Sequence, residues 1–213
     1  MGDAERIQAE LRSRLDLTNV VDPSQSLLAA GLDVSYEVGS DRVAAAVALV
    51  RTDTLEIVET AVLHGEATFP YVPGLLAFRE APILLEALGK VRASPDVLVC
   101  DGYGIAHPRR FGLACHLGVL TGLPSFGVAK TPFTATYPEP GRRRGDWSEL
   151  SEGDEVLGRA LRTQPDVKPV FVSVGHRIGL PEATTLTLAL SGRFRLPETT
   201  RAADSLSRRA LRD

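Results

Sequence analysis

The chain has 213 residues, of which 44% are hydrophobic, and its formal net charge is −3. This length suits a single domain spanning residues 1–213, which at this size buries roughly 70% of the surface of its unfolded chain and needs no disulfide or structural metal. The N-terminus is polar, the two cysteines have no metal-site or disulfide spacing, and no apolar run approaches the ~18 residues of a membrane span. We therefore expect a soluble cytoplasmic monomer without a membrane partner, while the small net charge neither favours nor excludes nucleic acid.

The first two thirds of the chain alternate between predicted strands and helices. Apolar residues at four-residue spacing predict an N-terminal helix over 3–15. Apolar runs bounded by turn residues predict five strands, over 27–36, 43–50, 55–63, 97–100 and 125–129. Helices are expected over 75–90 and 111–120, the first of them kinked or restarted at Pro82.

Beyond Lys130 the sequence becomes rich in proline and arginine, which predicts an exposed connection. A strand pair over 156–161 and 170–174 and helices over 182–190 and 201–211 are expected to follow, with Thr199 and Thr200 as caps of the last helix. This order predicts an α/β fold of the ribonuclease H-like type. Its mixed sheet would contain three antiparallel strands plus parallel strands and be flanked by helices, although other α/β folds could give the same order.

Three acidic residues are candidates for a metal site. Asp101 ends an apolar strand, at the sheet edge where open α/β sheets bind their ligands. Asp33 lies inside another apolar strand, where an unpaired carboxylate would cost several kcal/mol. Glu80 lies on the helix that follows a proline-rich segment. Carboxylates without a cysteine or histidine cluster favour a hard cation such as Mg²⁺. Each acid also has a structural alternative: a turn-forming or paired aspartate, or an ordinary surface glutamate.

Basic residues follow the same strand ends. His107 and Arg109 lie in the loop after Asp101, which indicates chemistry on an anionic substrate. Lys130 follows the next strand and would lie at the same edge, where a lysine can contact a phosphate or help to organise an attacking water. A solvated lysine is the alternative.

The chain resembles the endonuclease V family, the deoxyinosine 3′-endonucleases, and four pieces of sequence carry the resemblance. The most specific is the Asp-Gly-x-Gly-x-x-His-Pro-Arg block at Asp101–Arg109, which continues through 112–118 and 127–130. The other pieces are Gly31–Ser35, the segment Pro70–Gly74 followed by Phe78–Glu80, and the C-terminal stretches 173–178 and 195–204.

The resemblance implies a ribonuclease H-like fold and a Mg²⁺-dependent cut, with Mn²⁺ as a plausible substitute, at the second phosphodiester 3′ of a deaminated base in DNA. This DNA repair activity would leave 3′-hydroxyl and 5′-phosphate ends, and whether inosine-containing RNA is also cut stays open. The implied metal ligands are Asp33, Glu80 and Asp101. Lys130 and His107 would lie near the scissile phosphate, and Asp204 matches a further polar position of the site.

The resemblance also assigns Pro70, Tyr71, Val72 and Pro73 to a wedge that enters the duplex. Two prolines stiffen this loop, so inserting the aromatic ring of Tyr71 would cost little entropy. Backbone amides at Gly102, Gly104 and Gly127 are expected to line a pocket for the extruded base. A buried tyrosine packing against a proline-rich turn is the structural alternative for the wedge.

Three other functions are weighed against this one. A different ribonuclease H-like nuclease, acting on RNA:DNA hybrids or branched DNA, would have no need for a wedge. A binding module that has lost catalysis would not need all three acids. A sugar or acyl hydrolase lacks support, because the chain has no Gly-x-Ser-x-Gly motif.

Overall fold

The structure is a computed structural model that describes residues 2–212, which fold around an eight-stranded mixed sheet. The strands are β1 Leu28–Tyr36, β2 Arg42–Arg51, β3 Ile57–Glu66, β4 Val97–Asp101, β5 Ser125–Ala129, β6 Trp147–Glu152, β7 Glu155–Leu161 and β8 Val170–His176. The helices are α1 Gly2–Arg12, α2 Leu76–Leu88, α3 Leu113–Thr121, α4 Leu180–Leu190 and α5 Glu198–Ala210. Within residues 2–212, no helix is long and apolar enough to span a membrane.

The strand order is β3-β2-β1-β4-β5-β8-β7-β6. Strands β1, β4 and β5 are parallel neighbours, whereas β1–β2–β3 and β5–β8–β7–β6 pair antiparallel. A parallel pair requires a crossover, and α2 and α3 supply the two crossovers that lead into β4 and β5. The predicted α/β class, with three antiparallel strands joined to parallel ones, is confirmed, and the arrangement is consistent with a ribonuclease H-like fold.

The helices cover both faces of the sheet. Helices α2 and α3 bury their apolar residues against one side of β1, β2 and β4, around Leu32, Leu84 and Leu98. Helix α4 packs on the opposite face against the central strands, around Val99 and Leu186. Helix α5 covers β1 and β2 on that second face. The central strands are thus buried on both sides, which explains their nearly continuous apolar sequence.

Three details of the prediction need correction. Helix α2 runs from Leu76 to Leu88 without a restart at Pro82, because the packing of its apolar face against the sheet outweighs the bond lost at the proline. The region after Lys130 contains the edge strand β6, which the prediction missed. Apart from the exposed Trp147 its residues are polar except Leu150, which alone is buried, so it has little apolar signal.

Helix α5 begins earlier in the chain than predicted. The helix begins at Glu198, with Pro197 rather than a threonine at the cap position. Thr199 and Thr200 lie in the first turn and are buried, and no side chain caps the helix. They are buried because this turn packs directly against the sheet.

Candidate active site

The parallel register of the sheet brings Asp33 and Asp101 together. Strands β1 and β4 pair with Leu32 opposite Cys100, so the next residue of each strand is one of the two aspartates. Both therefore lie at the carboxyl edge of the parallel strands, where ligands bind in open α/β sheets. Since side chains alternate along a strand, both carboxylates point to the face that α5 covers.

Asp33 is held by α5. The Oγ of Ser207, a buried residue of that helix, donates a hydrogen bond of 2.6 Å to Asp33 Oδ2. Burial raises the pKa of Asp33, the bond from Ser207 opposes that rise, and the negative charges of Asp101 and Asp204 add to it. The carboxylate is thus partly stabilised but remains in a field of like charge.

Helix α5 can approach β1 closely because residue 31 is glycine. A Cβ atom at Gly31 would lie 2.1 Å from the carbonyl oxygen of Thr199, in the first turn of α5. A larger residue would push the helix away from the strand. The glycine two positions before Asp33 thus allows α5 to bring Ser207 and Asp204 to the site.

Glu80 reaches the same edge from α2, on the other face of the sheet. Its side chain is buried, and the hydroxyl of Tyr36 donates a hydrogen bond of 2.8 Å to Glu80 Oε1. Burial, with further contributions from Asp33 and Asp101, raises the pKa of Glu80 to about 7. The influence of both aspartates on this pKa indicates that the three carboxyl groups share one electrostatic environment.

Lys130 supplies the positive charge at this edge. Strands β4 and β5 pair with Asp101 opposite Val128, so the second residue after Val128 lies on the same face just beyond the strand. Lys130 Nζ is 2.5 Å from Asp101 Oδ2. The ion pair is partly exposed to solvent, which weakens it and leaves the ammonium accessible to a second anion.

Asp204 completes one side of an open groove next to these residues. It accepts a 2.8 Å hydrogen bond from Arg208 Nε, one turn further along α5. The groove has a volume of about 660 Å³, and its lining includes Asp33, Asp101, Lys130 and Asp204. The structure therefore brings together the predicted residues Asp33, Asp101, Lys130 and Asp204, with Glu80 beside them.

The donor set suits a hard divalent cation, although it is not arranged as a finished metal cluster. Among residues 2–212, no three His, Cys, Asp or Glu side chains form a group that could hold a metal ion as they stand. Each proposed ligand has a protein donor instead, and the pairs are Asp33 with Ser207, Glu80 with Tyr36, and Asp101 with Lys130. The raised pKa values of Asp33 and Glu80 indicate negative charge that these donors do not fully compensate. Carboxylate oxygens in this state fit Mg²⁺ chemically.

The predicted wedge is an exposed loop beside this edge. Pro70, Tyr71 and Pro73 are exposed and Val72 is half-buried, and Tyr71 exposes 70% of its surface. An aromatic ring of this exposure is not packing the core, which argues against the structural alternative for Tyr71. The prolines and the lack of regular structure place the ring at the tip of a stiff loop.

A pocket of about 190 Å³ lies between the wedge and the site. Its wall is formed by the wedge and by apolar side chains, and its opposite side includes Asp101 and Gly102. The apolar lining comprises Leu76, Ala77, Phe111, Leu113 and Phe133. The volume is smaller than the roughly 300–1,000 Å³ of drug-sized ligand sites, so the pocket suits a single ring system.

Only one of the three predicted pocket glycines lies in this pocket. Gly102 lines it, with φ +148°. The amide of Gly104 is already used, because it donates a 2.8 Å hydrogen bond to Ser173 Oγ. Gly127 packs against the loop backbone, where an added Cβ atom would lie 2.5 Å from the carbonyl oxygen of Gly102. Gly104 and Gly127 thus lie outside this pocket, where both serve the close packing of the loop.

His107 also lines the pocket, in a neutral form. Its ring is buried, its Nδ1 accepts a 3.1 Å hydrogen bond from the amide of Arg109, and it hydrogen-bonds the backbone of Gly74. Burial, assisted by the charge of Arg109, lowers the pKa of His107 to about 4. With these bonds the imidazole holds the wedge and the pocket together, and its place near the scissile phosphate stays a prediction.

Sequence reasoning missed two residues that complete the site. Ser207 bonds Asp33 from the C-terminal helix, and Tyr36 bonds Glu80 from the end of β1. Tyr36 had no clear signal, since it follows Asp33 by three residues and therefore points to the opposite face of the sheet, where it meets Glu80. Ser207 had none, because only the docking of α5 on β1 brings it near.

Comparison with known proteins identifies the family. Residues 9–205 match the sequence profile of the family described as Endonuclease V. An endonuclease V from Nocardia farcinica is 57% identical over 210 residues, covering 99% of this chain and 92% of the relative. The crystal structure of endonuclease V from Streptomyces avermitilis has 55% identity and a TM-score of 0.96, covering 99% of this chain and 92% of that one. Ciona intestinalis endonuclease V, solved with a 24mer DNA containing an inosine followed by a ribo-adenosine, has 28% identity and a TM-score of 0.88, covering 99% and 97% of the two chains. The predicted resemblance is confirmed: the chain belongs to the endonuclease V family.

Proposed function

We propose that this protein is a Mg²⁺-dependent DNA repair endonuclease that recognises deaminated bases, chiefly deoxyinosine. It hydrolyses the second phosphodiester bond 3′ to the lesion and leaves 3′-hydroxyl and 5′-phosphate ends. The observation that carries the proposal is the convergence of Asp33, Glu80, Asp101 and Lys130 at one sheet edge, beside a pocket closed by an exposed aromatic loop. The complex of the Ciona relative with inosine-containing DNA supports the choice of substrate.

Asp33, Glu80 and Asp101 would hold the metal, for which Mn²⁺ is a plausible substitute. When bound, a divalent ion lowers the pKa of an attacking water and stabilises the leaving oxygen of a phosphodiester. The three side chains differ in mobility. Asp33 is held by the buried Ser207 and Glu80 is itself buried beneath Tyr36, whereas the half-exposed Lys130 can leave Asp101 at little cost.

Lys130 would bind the scissile phosphate. Its ammonium group lies at the edge that the aspartates share, and it is the basic group closest to Asp101 among the contacts described. Its charge would offset the negative charge that develops on the phosphate oxygens. Asp204 borders the same groove and accepts a hydrogen bond from Arg208. As an acid it would not bind the phosphate itself and would instead orient polar groups in the groove.

Tyr71 would enter the duplex and replace stacking that is lost when the base leaves the helix. Extruding a base costs a few kcal/mol, and less when the base is mispaired. A deaminated base, which pairs poorly with its original partner, therefore leaves more readily than an ordinary one. The pocket between the wedge and Gly102 would receive the base, with apolar walls for its faces and the amide of Gly102 at one edge.

A nicking assay tests the proposal directly. The substrate is a labelled duplex with one deoxyinosine, incubated with Mg²⁺, with Mn²⁺ or with chelator, and the cut is mapped against a sequencing ladder. We expect a single nick at the second phosphodiester 3′ of the lesion, only when a metal is present. Cleavage elsewhere, or equal cleavage of the undamaged duplex, would contradict the assignment. The same lesion placed in an RNA strand determines whether inosine-containing RNA is also a substrate, and sedimentation of the free protein tests the expected monomer.

Asp101→Ala separates catalysis from binding. If its carboxylate serves the metal, the variant should lose nicking while it still retains the inosine-containing duplex in a gel-shift assay. Asp96→Ala is the matched control, because Asp96 precedes the same strand at its opposite end and bonds the amide of Leu28. The control should cleave normally, and a loss of activity in both variants would point to damage to β4 instead.

A further inference from the structure

The base of the wedge is tied to two distant parts of the chain through one backbone carbonyl. Gly74 O accepts hydrogen bonds from Gln8 Nε2 of helix α1 at 3.1 Å and from Arg109 Nη2 of the β4–α3 loop at 2.6 Å. Gly74 has φ +80°, a left-handed conformation that glycine adopts without strain. A Cβ atom there would lie 2.8 Å from Arg109 Nη2, so the glycine also lets the guanidinium approach.

Gln8 is the centre of this arrangement. Its side chain is buried on the same helix as the buried apolar residues Ala4 and Leu11, and it is the polar member of that set. Besides Gly74, its Nε2 donates to the carbonyl of Phe111 at 2.9 Å, and its Oε1 accepts from Arg109 Nε at 2.5 Å. Arg109 is held from a second side by Glu5 of α1, at 3.7 Å. The amide of Gln8 thus links three segments: α1, the wedge and the loop that follows β4.

The tip of the wedge has no comparable support. Tyr71 is largely exposed. Near the tip, the amide of Leu75 donates a turn-forming hydrogen bond to the carbonyl of Val72. The direction of the ring is therefore set at the base of the loop. A loop that is held rigidly before binding loses less entropy when it inserts, and it resists displacement by stacked bases.

We propose that Gln8 and Arg109 are positioning residues that clamp the base of the wedge and thereby set the preference of the enzyme for deaminated over ordinary bases. This inference rests on the proposed function, since it deepens the role of the wedge in that reaction. A clamped Tyr71 opens the helix only where a base leaves easily. Without the clamp, Tyr71 no longer opens the helix efficiently at a deaminated base. Inosine-containing and ordinary duplexes then become more alike as substrates.

Gln8→Met removes the clamp and keeps the length of the side chain. Losing a buried hydrogen-bond partner changes an equilibrium by about tenfold to a hundredfold, so we expect the ratio of nicking rates on inosine-containing and undamaged duplexes to fall by about tenfold or more. Gln8→Glu keeps the acceptor for Arg109 and should restore part of this ratio. Gln164→Met is the matched control, because Gln164 also donates to several backbone carbonyls, those of residues 191, 192 and 194, away from the wedge.

A double-mutant cycle with Tyr71→Ala distinguishes positioning from general stability. If Gln8 acts through the wedge, Gln8→Met should lower selectivity in the wild-type background and have no further effect once Tyr71 is alanine. An equal loss in both backgrounds, or an equal loss with Gln164→Met, would overturn the proposal. Thermal unfolding of each variant shows whether the losses follow stability.

Amide hydrogen exchange tests whether the clamp holds the base of the wedge, without depending on nicking activity. Gln8→Met should increase exchange of the amide of Leu75, which donates to the carbonyl of Val72 of the wedge, whereas Gln164→Met should leave it unchanged. If wild-type protein does not prefer inosine, the proposed function fails, and the exchange result still decides whether the clamp exists. No increase in exchange over the control would overturn the clamp itself.

Discussion

Replacing Glu80 with glutamine removes a charge that the folded protein holds in an unfavourable place. The carboxyl group is buried, lies in the field of Asp33 and Asp101, and has a pKa raised from 4.5 to about 7. Glutamine has nearly the same shape, and its amide oxygen can accept the bond that Tyr36 donates to Glu80 Oε1. The variant therefore changes charge with little change in packing.

The magnitude follows from the raised pKa. At about 1.4 kcal/mol for each tenfold change in proton affinity, a rise from 4.5 to about 7 corresponds to about 3 kcal/mol. The folded state binds this proton more tightly than the unfolded state, so the stabilisation is fully present below pH 4.5 and is lost as the pH rises through about 7. We expect Glu80→Gln to match wild type near pH 4 and to exceed it by up to about 3 kcal/mol in free energy of unfolding at pH 8, in the absence of metal.

Urea unfolding in chelator at several pH values measures this difference. Acids whose pKa is lowered by hydrogen bonds, such as Asp16 and Asp22, contribute equally to both proteins and cancel. A difference in the free energy of unfolding that stays constant from pH 5 to pH 8 would refute the reasoning. If Mg²⁺ binds here as proposed, adding it should stabilise wild type more than the variant and narrow the gap at pH 8.

Three further predictions concern other parts of the site and core. Gly31→Ala places a Cβ atom 2.1 Å from the carbonyl oxygen of Thr199, so we expect a loss of about 1–3 kcal/mol by urea unfolding; an unchanged midpoint would show that α5 shifts freely. Lys130→Met removes the charge paired with Asp101 at 2.5 Å, and under the proposed function it should lower the single-turnover nicking rate by about 10²–10³-fold with a small change in DNA affinity. Burial raises the pKa of the Cys115 thiol to about 12, so its labelling by a disulfide reagent should follow global unfolding; rapid labelling of native protein would contradict its buried position.

The sequence predicted best what depends on local pattern. The apolar strands β1, β4 and β5 are buried on both faces, so their composition alone identified them, and the parallel strands needed helices between them. Strand β6 escaped prediction because it lies at the sheet edge with only Leu150 buried. Its pairing with β7 is specified by backbone bonds and the hairpin turn, which leave little trace in hydrophobicity.

The proposed site also contains some residues that could be predicted from the sequence and others that could not. Asp33 and Asp101 could be considered together from sequence because each lies on an apolar strand and the two strands can be neighbours in one sheet; the parallel pairing of β1 with β4, which brings them to one edge, comes from the structure. Glu80 has no such signal in its spacing, and only the family resemblance singled it out. The partners Ser207 and Tyr36 depend on how a helix docks and how a strand ends, which are properties of the assembled fold.

The arrangement explains how three acids can lie together at one sheet edge. Each of the three carboxylates has its own donor, so none is left without a hydrogen bond at the sheet edge. The donors differ in charge and exposure: Ser207 donates to its carboxylate from a neutral, buried hydroxyl, whereas Lys130 donates from a charged and half-exposed side chain. Burial, together with the neighbouring negative charges, keeps the pKa values of Asp33 and Glu80 raised despite these donors, so a cation entering the groove would stabilise the ionised forms of both acids. Burial and neighbouring negative charge thus disfavour the ionised form of Glu80, so replacing Glu80 by a neutral residue should stabilise the metal-free fold while it weakens metal binding.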